Sequence, residues 1–231
     1  MVRLLAGDST ITSDFCVSII LMNISKGSQI VKSTKGCYNN LLKKGTMEYE
    51  KIFPEILAEI DLVLSKVKSI EVERIVTEIL KAEKVFIFGV GRVFLSLQSF
   101  GKRLGHLQID CQVVGSINEK PILKKDLLLI ASGSGESKLP IQIARIGKNK
   151  GATIGLITSS TRSTLKELAG FCIHLPSPTK KDKSAGVKSI QPMSTLFDQA
   201  LHIFGDTVAK IIQERKGLKN EEIWKYHANL E

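Results

Sequence analysis

The sequence predicts an α/β fold: a three-layer sandwich in which a five-stranded parallel sheet lies between helices, flanked by N- and C-terminal helices. Three observations carry this. Short, continuous apolar runs such as Val85–Phe88 and Leu127–Ala131 read as strands buried on both faces. The runs alternate with amphipathic stretches at helical spacing, the order that builds a parallel sheet. Glycine- and serine-rich turns follow two of the runs, where open parallel sheets bind ligands.

Each element has its own warrant. From residue 48, Ile52, Ile56, Leu57, Ile60, Val63, Leu64 and Val67 recur at helical spacing, and Val72, Ile75, Val76, Ile79 and Leu80 mark a second helix. The period then changes: Val85–Phe88 is a first strand that stops at Gly89. Residues 94–107 read as helix and Cys111–Val114 as a second strand. Leu127–Ala131, entered from Lys124-Lys125-Asp126, is the third. Helix 138–149, strand Thr153–Thr158, a short helix at 163–169 and strand Phe171–Leu175 follow. Residues 176–190 form a loop of Pro, Ser and Lys. A long helix, 193–215, and a short one, 219–226, close the chain.

Residues 1–46 differ from the rest. Ser, Thr and Gly are frequent there and helical periodicity is poor, so the segment is expected to be a weakly ordered or non-native N-terminal extension, with Met47 as the natural start. Phe15–Leu21 is apolar but is preceded by two aspartates, not a basic region, which argues against a signal peptide. No apolar run approaches the roughly 20 residues of a membrane-spanning helix. Cys16, Cys37, Cys111 and Cys172 are scattered, with no Cys-x-x-Cys pair or His/Cys cluster. That argues against structural zinc and a disulfide framework, and a reducing, cytoplasmic setting is expected. The net charge of +10 is spread along the chain, with one dense run at Lys180-Lys181-Asp182-Lys183. With few aromatics and no helix-turn-helix pattern, nucleic acid is not the expected partner; an anionic small substrate accounts for the charge.

Three segments carry candidate chemistry. Gly89-Val90-Gly91-Arg92 follows the first strand, where glycines let backbone amides approach an anion and Arg92 adds a charge. The third glycine of a dinucleotide fingerprint is missing. Ser132-Gly133-Ser134-Gly135-Glu136-Ser137 follows the third strand and opens a helix, so hydroxyls and N–H groups meet a positive helix end, the setting for a phosphate. Alternatively, Ser134 or Ser137 merely caps that helix. Asp198 lies near the start of the long helix, where a carboxylate either complements the dipole or faces the phosphate loop as a general base. His227, in the tail behind Trp224, titrates near neutral pH and is useful if it reaches a ligand.

Together these segments resemble the sugar isomerase (SIS) domain family, a five-stranded, flavodoxin-like parallel α/β fold that binds phosphosugars. Within it they are most similar to the 6-phospho-3-hexuloisomerase group. The resemblance rests on Lys84–Arg92 (KVFIFGVGR), Arg103-Leu104-Gly105-His106, Ser132–Ser137 (SGSGES), Ser189–Met193 (SIQPM) and Tyr226–Glu231 (YHANLE), and spans about residue 48 to the end. It implies a SIS domain over 47–231 with C-terminal helices. It implies an isomerase that interconverts D-arabino-3-hexulose 6-phosphate and fructose 6-phosphate through an enediol, within the ribulose monophosphate route of formaldehyde assimilation. It implies no cofactor and no metal, and a homotetramer. Asp198 would be the base, in place of the family's Glu, and His227 would move protons between oxygens from a neighbouring subunit. Ser132, Ser134 and Ser137 would hold the phosphate, Gly91 and Arg92 would line the pocket, and His106 would stand in its wall. The sequence departs from the family pattern in three places. Val93-Phe94 replaces Ser-Gly, Gly115–Pro121 replaces a Gly-Glu-Thr-x-Thr-Pro loop, and Asp198 is shorter than Glu by one methylene, roughly 1.5 Å. These changes leave open a SIS enzyme on another ketose phosphate, or a non-catalytic phosphosugar-binding module.

Overall fold

The computed structural model describes residues 48–179 and 187–230, so the expected extension at 1–46 and the basic run at 180–183 lie outside the described residues. The chain divides into two units, Met1–Pro54 and Glu55–Glu231. In the first, the described residues 48–54 are helical, and the Tyr49 and Phe53 rings stack with centroids 5.4 Å apart. The second opens with helical residues 55–64 (α1). It continues with α2 (Ser69–Lys81), β1 (Val85–Phe88), α3 (Arg92–His106), β2 (Cys111–Val113), β3 (Leu127–Ala131) and α4 (Lys138–Asn149). β4 (Thr153–Thr158), α5 (Thr164–Leu168), β5 (Phe171–His174), α6 (Thr195–Arg215) and α7 (Asn220–Trp224) complete it.

The five strands form one parallel sheet in the order β2-β1-β3-β4-β5. Alternation along the strands sorts the core into two halves, because successive side chains point to opposite faces. Val85, Ile87, Leu127, Leu129, Ile157 and Ile173 face one way, against buried residues of α2, α3 and α6 such as Ile75, Phe100 and Phe204. Phe86, Leu128, Ile130 and Leu156 face the other way, against Ile141 and Ala144 of α4 and Leu165 of α5. β1 and β3 are buried along their whole length, which is why they read as unbroken apolar runs. Strand order reverses at β1 and β3, with β2 added on one side and β3 to β5 on the other, so a crevice for a ligand opens beyond the C-terminal ends of those two parallel strands.

Two element boundaries differ from the sequence reading for clear physical reasons. α3 begins at Arg92 rather than 94, because Gly91 (φ +60°) turns the chain directly out of the strand and into the helix. α6 begins at Thr195 rather than 193, because Met193 sits at φ +55°, outside the right-handed helical region. The short strands and α7 also end a residue or two inside their expected limits. Among the described residues, no helix is long and apolar enough to cross a membrane.

At the opposite edge, Asp126 fastens the entries to β1 and β3. It is 1% exposed and accepts hydrogen bonds from the Lys84 N–H at 3.1 Å and the Leu123 N–H at 2.7 Å, with the Lys84 Nζ at 3.0 Å. Removing one partner of a buried pair strands the other, so Asp126→Ala is expected to lower the unfolding free energy by about 3 kcal/mol or more in urea titration. A loss below about 1 kcal/mol would place the pair among surface-like interactions.

Candidate functional site

Three helices start at the C-terminal edge of the sheet. Their N-caps are Gly91 for α3, Ser137 for α4 and Ser194 for α6, and in none does a side chain cap the helix. Each leaves first-turn N–H groups without a side-chain partner, and the aligned peptide dipoles concentrate positive charge there. All three N-caps line one cavity of about 330 Å³ over the ends of β1 and β3. A helix end that carries a serine without using it as a cap is poised to donate elsewhere. This decides against the capping alternative for Ser137.

The Ser132–Ser137 loop is braced from within. Ser132 is 3% exposed; its N–H donates to the Ile157 carbonyl at 3.0 Å, and its Oγ accepts from the Gly135 N–H at 3.2 Å. The Ser134 Oγ accepts from the Glu136 N–H at 3.3 Å. Gly135 has φ +66°, and a Cβ there would collide with Ser163, so only glycine fits this turn. Glu136 turns away toward α5, accepting from the Thr164 N–H at 2.8 Å. Ser132, Ser134 and Ser137 all line the cavity, together with Gly91 and Arg92.

Asp198 lines the same cavity from the first turn of α6. Its side chain is 4% exposed. Oδ2 accepts from the Arg92 Nε at 3.0 Å, while Oδ1 is buried with no hydrogen-bond partner. Burial raises the pKa of this carboxyl above its ordinary value, and the Arg92 hydrogen bond and charge offset only part of that. A buried carboxylate with one oxygen uncommitted and a raised pKa has the character of a base tuned toward neutral pH. The Ser96 hydroxyl, on α3, donates to the Asp198 carbonyl at 3.0 Å and fixes the two helices at this point.

Within one chain the structure does not bring His106 and His227 to this cavity. α3 has 15 residues, so His106 lies about 20 Å from Arg92 along the helix. There its ring lies 5.4 Å from that of His227, which in turn is 5.2 Å from Trp224. These three residues line a second cavity of about 420 Å³ between the ends of α3, α6 and α7. Burial, then the charges of Lys102, Arg103 and His227, lower the His106 pKa, so its imidazole is held neutral. Its Nε2 is buried without a partner.

Of the family departures, Val93 lines the cavity, whereas Phe94 packs on Phe88 at 5.5 Å in the opposite half of the core. In the loop after β2, the Glu119 carboxylate folds back to accept from the Gly115 N–H at 2.7 Å. Sequence reasoning missed Thr179 as a lining residue, while Met193, Ser194 and Thr195 belong to the candidate segment 191–200 that carries Asp198. Cys111 and Cys172 are not nucleophile candidates, since burial pushes their thiols up to about 12 and about 11. Among the described residues, no group of three or more His, Cys, Asp or Glu could hold a metal ion.

Comparison with known proteins gives the arrangement a context. The SIS domain family matches residues 78–203. A 3-hexulose-6-phosphate isomerase of Bacillus subtilis (strain 168) is 34% identical over 185 residues, covering 80% of this chain and 100% of that one. One of Mycobacterium gastri is 32% identical over 167 residues, covering 72% and 83%. A hypothetical protein of Methanococcus jannaschii, whose crystal structure was reported as inferring a 3-hexulose-6-phosphate isomerase function, superposes with a TM-score of 0.68. It is 31% identical, with 78% of this chain and 99% of that one covered.

The raised Asp198 pKa has a consequence for stability. A carboxyl with a folded pKa above its unfolded value stabilises the fold in acid, and that contribution is lost as pH rises through the folded value. Asp198→Asn cannot titrate, and it frees an Arg92 side chain that is already 64% exposed. The variant's Tm relative to wild type is therefore expected to rise as pH increases from about 4 to about 8, followed by differential scanning fluorimetry. A difference that is flat or falls with pH would show the carboxylate to be well solvated.

Proposed function

The chain belongs to the SIS domain family, and from that premise we propose that it is a phosphosugar isomerase of the 6-phospho-3-hexuloisomerase type. On this reading it interconverts D-arabino-3-hexulose 6-phosphate and fructose 6-phosphate. The observation that carries the reading is one cavity holding three uncapped helix N-termini, a serine loop and a buried carboxylate with a free oxygen. The relatives of that name support it.

In the proposed reaction the phosphate sits against Ser132, Ser134, Ser137 and the helix ends. The Asp198 carboxylate removes the proton from C2 of the hexulose, next to the C3 carbonyl. The electrons form a 2,3-enediol, the O2 proton passes to O3, and the proton held by Asp198 returns to C3. The product has its carbonyl at C2. Arg92 holds the other oxygen of Asp198, keeping the carboxylate oriented. His227 would serve the oxygen-to-oxygen transfer. Within one chain it stands beside His106, about the length of α3 from Arg92, so it would come from a second copy. A homotetramer fits this. These proton transfers need no metal or cofactor. Val93 in the cavity favours one second reading, a SIS enzyme whose pocket takes another ketose phosphate.

The test is a coupled assay in which hexulose 6-phosphate is generated from ribulose 5-phosphate and formaldehyde, and fructose 6-phosphate is followed. Wild type is expected to turn over. Asp198→Asn is expected to lose about a thousand-fold in kcat while binding fructose 6-phosphate within about threefold of wild type by calorimetry. Equal loss of binding would argue against a base. Light scattering is expected to give a tetramer, and an active monomer would contradict a His227 supplied in trans.

A further inference from the structure

Asp198 stands where it does because of the segment that leads into α6. Residues 187–194 contain neither helix nor strand, yet they bring Met193 and Ser194 to the cavity and set the point at which α6 begins. Met193 holds φ +55°, a conformation a methionine keeps only when its flanks are fixed.

One carboxylate fixes them. Glu59 of α1 accepts three hydrogen bonds from this segment: from the Ser189 hydroxyl at 2.7 Å, the Ile190 N–H at 2.6 Å and the Gln191 Nε2 at 3.0 Å. The Ser189 Oγ in turn accepts from the Gln191 N–H at 3.0 Å, closing the cluster. Glu59 has a firm base of its own, because its helix neighbours Ile60 and Val63 are buried in the core at 7% and 0% exposure. The chemistry suits an ionised group. A carboxylate is acceptor only, with room for several donors, and hydrogen bonds to a charged acceptor are stronger than neutral ones. Burial works to raise the Glu59 pKa, but the hydrogen bonds from Gln191, Ile190 and Ser189 outweigh it and hold the group below the usual carboxylate range.

We propose that Glu59 is a positioning residue for the reaction: its carboxylate clamps Ser189, Ile190 and Gln191, and so sets where α6 starts and where Asp198 stands in the cavity. The inference rests on the reading of Asp198 as the base. Glu59 does not line the cavity and touches no substrate; it acts through the segment it holds.

The test combines kinetics with amide hydrogen exchange. Glu59→Gln keeps the shape but offers one acceptor oxygen and an amide donor to a cluster of donors. It is expected to lower kcat by about ten- to hundred-fold, as displacement of a reacting group by about 1 Å does, with KM changed by less than about threefold. The Ile190 and Gln191 amides are expected to exchange at least about tenfold faster. Breaking the clamp from the other side, with Ser189→Ala and Gln191→Ala together, should lower kcat to a similar degree. Adding Glu59→Gln to that pair should lower it little further, because all three changes remove the same contact. Losses that multiply, or unchanged kcat in either variant, would overturn the proposal. If Glu59→Gln fails to fold, the Ser189/Gln191 pair, which leaves α1 untouched, decides alone. If wild type itself does not turn over hexulose 6-phosphate, the reading of the chemistry fails. The clamp is then judged by exchange, and unprotected Ile190 and Gln191 amides in wild type would sink it.

Discussion

The structure depends on one constraint: every strand of the sheet runs the same way. A parallel strand must be followed by a crossover, and a helical crossover starts at the sheet's C-terminal edge. The N-termini of α3 and α4 therefore lie at that edge, α6 brings its own N-terminus to the same cavity after β5, and their dipoles add. The strand order β2-β1-β3-β4-β5 then opens a crevice between β1 and β3, where two of those helix ends flank the gap. Positive potential at the cavity thus follows from the fold itself. Among the described residues, Arg92 is the one Lys or Arg that lines the cavity.

Against that positive edge the chain places a buried carboxylate, and the balance of forces on Asp198 links structure to chemistry. Desolvation alone would neutralise it, and full pairing alone would make it a weak base. Arg92 takes one oxygen and leaves the other buried without a hydrogen-bond partner, so the carboxyl is only partly paired. The same balance makes the position expensive for stability, as expected where a site is built for reactivity. It also makes the geometry sensitive, since an Asp reaches less far than the Glu of the family pattern. An anchor on the preceding segment then carries more weight than it would with a longer side chain.

Much of this was legible in the sequence, for reasons that can be named. The strands were visible because burial on both faces leaves no room for polar alternation, as in Leu127–Ala131. Glycine marked the turns because φ +60° at Gly91 and φ +66° at Gly135 disfavour side chains, and at Gly135 a Cβ would also meet Ser163. The Ser132–Ser137 loop was readable because its residues are contiguous. What escaped was non-local. Glu59 sits on a helix whose apolar periodicity says nothing about its acidic face, and its partners are 130 residues and more away. The split between His106 and Asp198 was equally hidden, since a motif names residues and only the length of α3 shows that they lie at opposite ends.

The most direct test of the account is wash-in of solvent deuterium, followed by proton NMR of fructose 6-phosphate incubated with the protein in D2O. An enediol between C2 and C3 requires the C3 hydrogen to leave to a base, where it can exchange with solvent before a proton returns. The expected result is loss of the C3 proton signal with wild type and its retention with Asp198→Asn. Retention of that signal with wild type, together with no formation of the 3-hexulose 6-phosphate under conditions where calorimetry shows the sugar phosphate bound, would contradict this and leave a protein that binds phosphosugars without transforming them.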